Sequence, residues 1–491
     1  MFLQQIILLS NPTKIILLAV GLLLLALILV VLIRTLTFKD ETNYDVDRTK
    51  FTYQEDDVVK KLGELVKIPT VSYEDREKID FIQFQRLIDK CKELYPNVFS
   101  KCEFTQTKEY AIKLKLKGES SESPTVLMAH YDVVPVTDGW DHDPFLGEVI
   151  DGSLYGRGTF DTKCTMACAL SALEKALETD YIPKNDLYLC FGANEEVYGD
   201  SQVKIVEEFK SLGIKPGLVF DEGGAIIKGA FPGVNGNSAL LALGEKGMVN
   251  IKLSITGAGG HSSTPKKNGP VIRMSKALTR LEKHPMKPEI SPSVAELLNV
   301  MGKNNSVFPL KMIFANMWLF KPLVKFLFPK ISTDTKALLT STFAFTMMNA
   351  GTQTNIIPNY VEANINVRVA PFDTVDKVLA HVRKTIKDDT IEISAHDINK
   401  MYLECSFNSL GYQLVKDTVI ETYPDTVVAP FISFGGTDGR HYNEISDCVI
   451  RFSPMPVTNE ERRGMHGINE KLRVSSIEKC LEFYERLLTK I

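Results

Sequence analysis

Residues 125–132 read TVLMAHYD, an apolar run that stops abruptly at a histidine, a tyrosine and an aspartate. Residues two apart on an extended segment face the same side, so His130 and Asp132 would stand together. An imidazole beside a carboxylate suits a metal ligand held by an acidic partner. Alone, a histidine at a strand end is more often an ordinary surface or core residue; acids and a second histidine further along the chain give it weight. Asp161 comes after glycines at 152, 156 and 158 and opens a helical pattern over 162–179, where an acid also reads as a simple cap. Glu195 and Glu196 follow the apolar run 187–191. Adjacent carboxylates repel unless a cation lies near, although a solvated acidic turn fits the same letters. Asp221 ends the run 218–220, and His466 has glycine neighbours that would let it approach a metal without steric conflict.

These residues need a scaffold that gathers them, and the apolar runs supply one. Three successive runs each end in side chains able to bind a metal, and βαβ order brings such strand ends to one edge of a sheet. Helical spacing covers 56–68 and 78–94, and 111–117 alternates as a strand with one solvent face. The fold class predicted is α/β, a first domain interrupted by a smaller inserted one and completed by the carboxyl-terminal part. The composition shift near Gly247 opens that insertion with an exposed alternating strand, followed by Gly-Gly-His261-Ser-Ser. Within it, 307–328 is strongly apolar and aromatic but interrupted by prolines at 309, 322 and 329. That section could cover an apolar substrate, dip into a bilayer surface, or pack the core of a small domain. Strand pattern returns over 351–369, carrying Asn355 and Arg368, and after Pro371 helix and strand alternation resumes. A glycine-rich loop, 433–440, holds Asp438 and Arg440, and a final helical pattern covers 475–488. The divisions read as 51–247 and 370–491 for the catalytic domain and 248–369 for the insertion.

Composition excludes more than it selects. The formal net charge is -4, which gives no basic footprint for nucleic acid. Eight scattered cysteines indicate neither a disulfide framework nor a zinc ribbon. From Ile15 to Ile33 no side chain is polar, a length that crosses a hydrocarbon core, bounded by Lys14 and Arg34. No clear cleavage site follows, so 1–34 reads as a retained signal anchor and 35–50 as a polar linker. The expected location is a membrane, with a single-pass anchor and a lumenal or extracellular catalytic body, or secretion if the segment is cleaved. The basic residues flanking the span fix its orientation weakly, and the sequon at Asn304 is compatible with a lumenal body.

His130-Tyr-Asp132, the Gly156 to Asp161 run, Glu195-Glu196, Asp221-Glu-Gly, Gly-Gly-His261-Ser-Ser and His466-Gly-Ile-Asn-Glu470 occur in the order and approximate spacing of the dizinc aminoacylase and carboxypeptidase family. The chain resembles that family over residues 52–491. The resemblance implies a zinc-peptidase-like three-layer catalytic domain, an inserted ferredoxin-like α+β lid and a cofactor of two zinc ions. It implies that Asp161 bridges the ions, with His130 and Asp221 at one and Glu196 and His466 at the other. Glu195 would be the general base, and Asp132 would fix the free nitrogen of His130. His261, in relatives often supplied by a neighbouring subunit of a homodimer, would help to stabilise the oxyanion; Asn355 matches a lid contact. Arg368 and Arg440 match substrate-anchoring positions, where paired N–H donors could hold an α-carboxylate. Thr162 departs from the pattern, since many relatives carry a second acid there. The segments around Trp318, Gly411 and His466 resemble members that act on N-fatty-acyl-amino acids, and after them membrane-anchored carboxypeptidases. The expected substrate is therefore an N-acyl-amino acid or a short peptide.

Overall fold

Strands Ser120–His130, Asn185–Gly192 and Leu218–Lys228 lie parallel at the centre of an eight-stranded mixed sheet, seen in a computed structural model that describes residues 12–40, 55–399, 402 and 404–491. Outward on one side of the Asn185–Gly192 strand come Ile112–Leu116 and Glu103–Gln106; beyond Leu218–Lys228 come Val449–Val457, Asn237–Glu245 and Thr426–Ser433. The central runs are continuously apolar because both faces are covered. Leu127 and Ala129 join the larger core, packed under helices Lys163–Leu177 and Val474–Leu488, whereas Val126 and Met128 face Ile205, Val206 and Phe209 of helix Ser201–Ser211. Helix, sheet and helix make the three expected layers.

Register places the chemistry. His130 pairs with Gly192 and Leu127 with Phe220, so the strand ends carrying His130, Glu195 and Asp221 emerge at one edge. All eight cysteines are buried free thiols.

A second, four-stranded antiparallel sheet has the order Thr342–Asn349, Tyr360–Val369, Gly247–Thr256, Glu392–Asn399. Helices Pro270–Lys283 and Val375–Ile386 pack on it through Met274, Ala277, Leu281, Val378, Val382 and Ile386. The insertion thus continues past the expected boundary at 369, because Ile393 and Ala395 pair with Leu253 and Ile251. Helix followed by strand reads the same for either sheet; only the pairing partner decides. A further correction concerns the helices between Pro292 and Leu339. Leu297, Leu298 and Phe314 pack with Ala429 and Ile432 of the edge strand Thr426–Ser433, so these helices cap the main sheet rather than build the second one.

The apolar amino-terminal segment forms one helix, Pro12–Thr37, running three residues into the stretch read as a linker. Residues 41–50 of that linker lie outside the described part.

Candidate metal centre and cleft

His130 is the last residue of its strand, and its ring is held from behind. Nδ1 lies 2.9 Å from the Asp132 carbonyl oxygen and 3.4 Å from Asp132 Oδ1. Donation from Nδ1–H leaves the Nε2 lone pair free to bind a metal. Nε2 stands 3.2 Å from Asp161 Oδ1 and 3.2 Å from Glu222 Oε1. The other oxygen of Asp161 is 3.0 Å from His466 Nε2, which is also 3.1 Å from Glu196 Oε2. Two donor groups result, His130, Asp161 and Glu222 in one and Asp161, Glu196 and His466 in the other, each with ligand atoms within 4.8 Å of one another. Asp161 is common to both, one oxygen turned to each.

Asp221, the fifth ligand expected, is placed differently. Its Oδ2 accepts from the Gly439 amide at 2.6 Å and its Oδ1 from the Glu222 amide at 2.9 Å, and Glu222 is the carboxylate that reaches His130. Successive side chains on a strand point opposite ways, so only one of these neighbouring acids can face the histidine.

The supports explain the aim of each group. Asp132, fully buried, does more than hold His130: it accepts from the amides of Glu195 and Glu196 at 3.1 and 3.2 Å and from Ser72 Oγ at 2.8 Å. One carboxylate therefore sets both the histidine and the acid pair. Asp161 is aimed by Glu470, a buried acid with no role expected from its place in the chain. Its Oε1 accepts from the amides of Gly158, Phe160 and Asp161 at 3.0, 2.9 and 3.2 Å, while Oε2 binds Arg157 Nη1 at 2.7 Å. Gly158 has φ +86°, and a Cβ there would meet Val133 Cγ1 at 2.7 Å, which explains the glycine. His466 itself has φ +58°, an uncommon conformation for a side chain-bearing residue that turns its ring towards Asp161.

Electrostatics call for cations. Burial and the acids Glu222, Asp438 and Glu196 push Glu195 well above the usual carboxylate range, and burial pushes Glu222 up to about 8. Burial also works against Asp161, but hydrogen bonds from His130 and His466 hold it well below its ordinary value. Asp161 and Glu196 draw His466 up to about 10. Imidazole nitrogens and carboxylate oxygens crowded this way fit divalent zinc in both type and number. Glu195 belongs to neither donor group; its Oε1 lies 3.9 Å from Arg440 Nη1.

Beside the centre opens a cleft of about 820 Å³ between the main and second sheets, lined by Arg76, Phe81, Tyr198, Met248, Asn250 and Arg368 among others. Arg368, expected to anchor substrate, lies here and donates to the Tyr198 hydroxyl at 3.5 Å. Arg440 is instead buried, donating to the Thr437 carbonyl at 2.7 Å next to Glu195. His261 and Asn355 stand on an exposed ribbon that pairs Gly260–His261 with Ile356–Ile357. His261 Nδ1 contacts Ser263 Oγ at 2.8 Å, and among the described residues no hydrogen bond joins this ribbon to the donor groups.

A parallel-centred sheet whose strand ends gather two histidine–carboxylate groups around a shared aspartate defines a metallohydrolase. Residues 126–490 match the model of Peptidase family M20/M25/M40, and the chain belongs to that family of hydrolases acting on amide bonds. It is 32% identical to N-fatty-acyl-amino acid synthase/hydrolase PM20D1 of Xenopus tropicalis, over 95% of this chain and 93% of that protein. It is also 32% identical to "Probable carboxypeptidase S-like 2" of Dictyostelium discoideum, over 89% and 85% respectively. An M20 family metallo-carboxypeptidase from Sulfolobus solfataricus shares the fold, with TM-score 0.66 and 19% identity over 88% of this chain and 98% of that one.

Proposed function

We propose that the protein is a membrane-tethered dizinc amidohydrolase that cleaves N-acyl-amino acids, with a preference for fatty acyl groups, to fatty acid and amino acid. The observation that carries this reading is the pair of donor groups sharing Asp161, with Glu195 beside them but bound into neither. His130, Asp161 and Glu222 would hold one zinc ion, and Asp161, Glu196 and His466 the other. Zinc, when bound, polarises an amide carbonyl and makes water a nucleophile at neutral pH. Glu195 takes the proton of the attacking water and passes it to the departing amine, a task suited to a carboxyl whose buried setting raises its proton affinity. Arg368, open to the cleft, would bind the α-carboxylate of the amino acid through paired N–H donors. His261 could serve the oxyanion only if the ribbon of a second chain, or a movement of its own, brought it to the site. The same catalyst lowers the barrier in both directions, so condensation of fatty acid with amino acid is part of the proposal.

The fatty-acyl preference is supported by the relative from Xenopus tropicalis, and the Dictyostelium discoideum relative favours a second reading, a membrane-anchored carboxypeptidase. A panel comparing N-oleoyl-phenylalanine with Gly-Leu separates them. Release of oleate with little cleavage of the dipeptide is expected; dipeptide cleavage without oleate release would overturn the first reading. The helix Lys14–Thr37, almost wholly exposed apart from Val31 and Thr35, is assigned as the anchor.

A further inference from the structure

The helices capping the main sheet are apolar on both sides. Inward, Phe314, Val324 and Phe328 pack with Leu297, Leu298 and Met301. Outward, helix Met317–Leu327 presents Trp318, Leu319, Leu323, Phe326 and Leu327 to solvent, Trp318 being 56% and Phe326 61% exposed. These positions recur at helical spacing and make one continuous stripe, a feature that soluble surfaces avoid unless something covers it. Its charge is mainly basic as well, Lys325 alone of its lysines being paired with an acid, Glu289 at 2.8 Å, among the described contacts. Residues 307–330 hold four lysines, 311, 321, 325 and 330, and no acid. Lys287 and Lys336 join two of them around an adjoining cavity of about 510 Å³ that is also lined by Pro322 and Phe326.

A separate observation fixes the level of this face. The end of helix Pro12–Thr37 docks where helix Phe308–Ala315 hands over to helix Met317–Leu327: Arg34 Nε and Nη2 each donate to the Ala315 carbonyl at 3.3 Å. Asn316 Nδ2 donates to the Val31 carbonyl at 3.3 Å and to Thr35 Oγ1 at 3.2 Å. At 1.5 Å per residue the apolar run from Ile15 to Ile33 is about 28 Å long. Its contacts with Ala315 and Asn316 therefore lie at one end of the span, the depth of lipid head groups, and Trp318 is one helical turn or less from them.

We infer that the outer face of residues 307–331 seats in the head-group layer of a bilayer containing anionic lipid. Trp318 and the phenylalanines enter the boundary with the acyl chains while the lysines meet phosphate and carboxylate groups. The depth assignment rests on the proposed anchor; the apolar and basic face does not. Two contacts, one spanning and one lying flat, would hold the catalytic body in a fixed posture on the membrane rather than on a loose tether.

The test uses the full chain reconstituted into phosphatidylcholine vesicles with and without phosphatidylserine. The protein has two tryptophans, so Trp318 emission is the difference between the wild type and Trp318→Phe. Lipid brominated near the top of the acyl chain should remove most of that emission, and aqueous iodide should leave it. Replacing Lys311, Lys321 and Lys330 by glutamate should abolish any gain from phosphatidylserine. Quenching by iodide but not by brominated lipid overturns the inference. So does shielding from both quenchers with cross-linking of two chains through this face, which would make a second copy the occupant. Alkaline carbonate extraction reads the anchor separately: release of the chain while Trp318 remains lipid-quenched in the vesicles sinks the anchor and sustains the interfacial face.

Discussion

Glu470→Gln isolates the loop that aims Asp161. The glutamate is fully buried and accepts three main-chain amides on one oxygen and Arg157 on the other. Glutamine keeps the shape and can still accept the three amides through its carbonyl. Its amide nitrogen, however, would face Arg157 Nη1 as donor against donor. Breaking a buried ion pair by neutralising one partner costs about 3–5 kcal/mol, and a hydrogen bond to a charged group contributes about 1.5–3 kcal/mol. Arg157 keeps its bond to the Gly467 carbonyl at 2.7 Å and its position 5.2 Å from the Trp140 ring, so the lower figure, about 3 kcal/mol, applies. Part of this cost appears as misplacement of Asp161, for which a loss of roughly 10–100-fold in metal affinity is expected. Metal retained during titration with a competing chelator, and kcat/KM at saturating zinc, are the measurements. Arg157→Met should fall by a similar amount, and the double variant should be much less than additive. Wild-type zinc affinity in Glu470→Gln, or simple additivity in the cycle, would refute the reasoning.

Two further outcomes concern the centre itself. Glu195→Gln should lower kcat/KM by about 10²–10⁴-fold while zinc content stays unchanged; loss of zinc together with activity would make Glu195 a ligand instead of a proton carrier. In the metal-free protein Asp161 and Glu196 draw His466 up to about 10, so the ring carries a proton at pH 7 and must shed it to bind zinc. Zinc addition to the apoprotein in weak buffer should therefore release protons, and the apparent affinity should rise with pH from 7 towards 9; a pH-stat trace without release contradicts that account.

The catalytic fold was legible because each central strand announces itself twice, by an unbroken apolar run and by the acid or histidine that ends it. Buried on both faces, Val126 to Ala129 could not alternate, and His130 had to emerge at the edge where Glu195 also emerges. His130 and Glu196 meet for that reason, and Asp161 and His466 join them from loops, so four of the five expected ligands come together. The fifth was harder, since Asp221 and Glu222 are neighbours and sequence order does not say which of two adjacent carboxylates faces His130. Arg440 and Arg368 look alike as letters, yet one is enclosed beside Glu195 and the other opens on the cleft; that difference arises from the packing of two sheets. The limit of the second sheet was missed because a strand's partner is a long-range choice. Glu470 carried only a weak signal, an acid three residues after Gly467 in a segment already read for its histidine.

Lys246 is the single residue between Asn237–Glu245 of one sheet and Gly247–Thr256 of the other. Its buried ammonium donates to the carbonyls of Ala337 and Thr340 at 3.0 and 2.8 Å and to Thr342 Oγ1 at 3.2 Å. The crossing is thus pinned to the segment that leads from the helices capping the main sheet into the second sheet. Any swing that widens the mouth above Arg368 must either rupture those bonds or drag that segment along, so the cleft and the helices capping the main sheet are geared to one pivot.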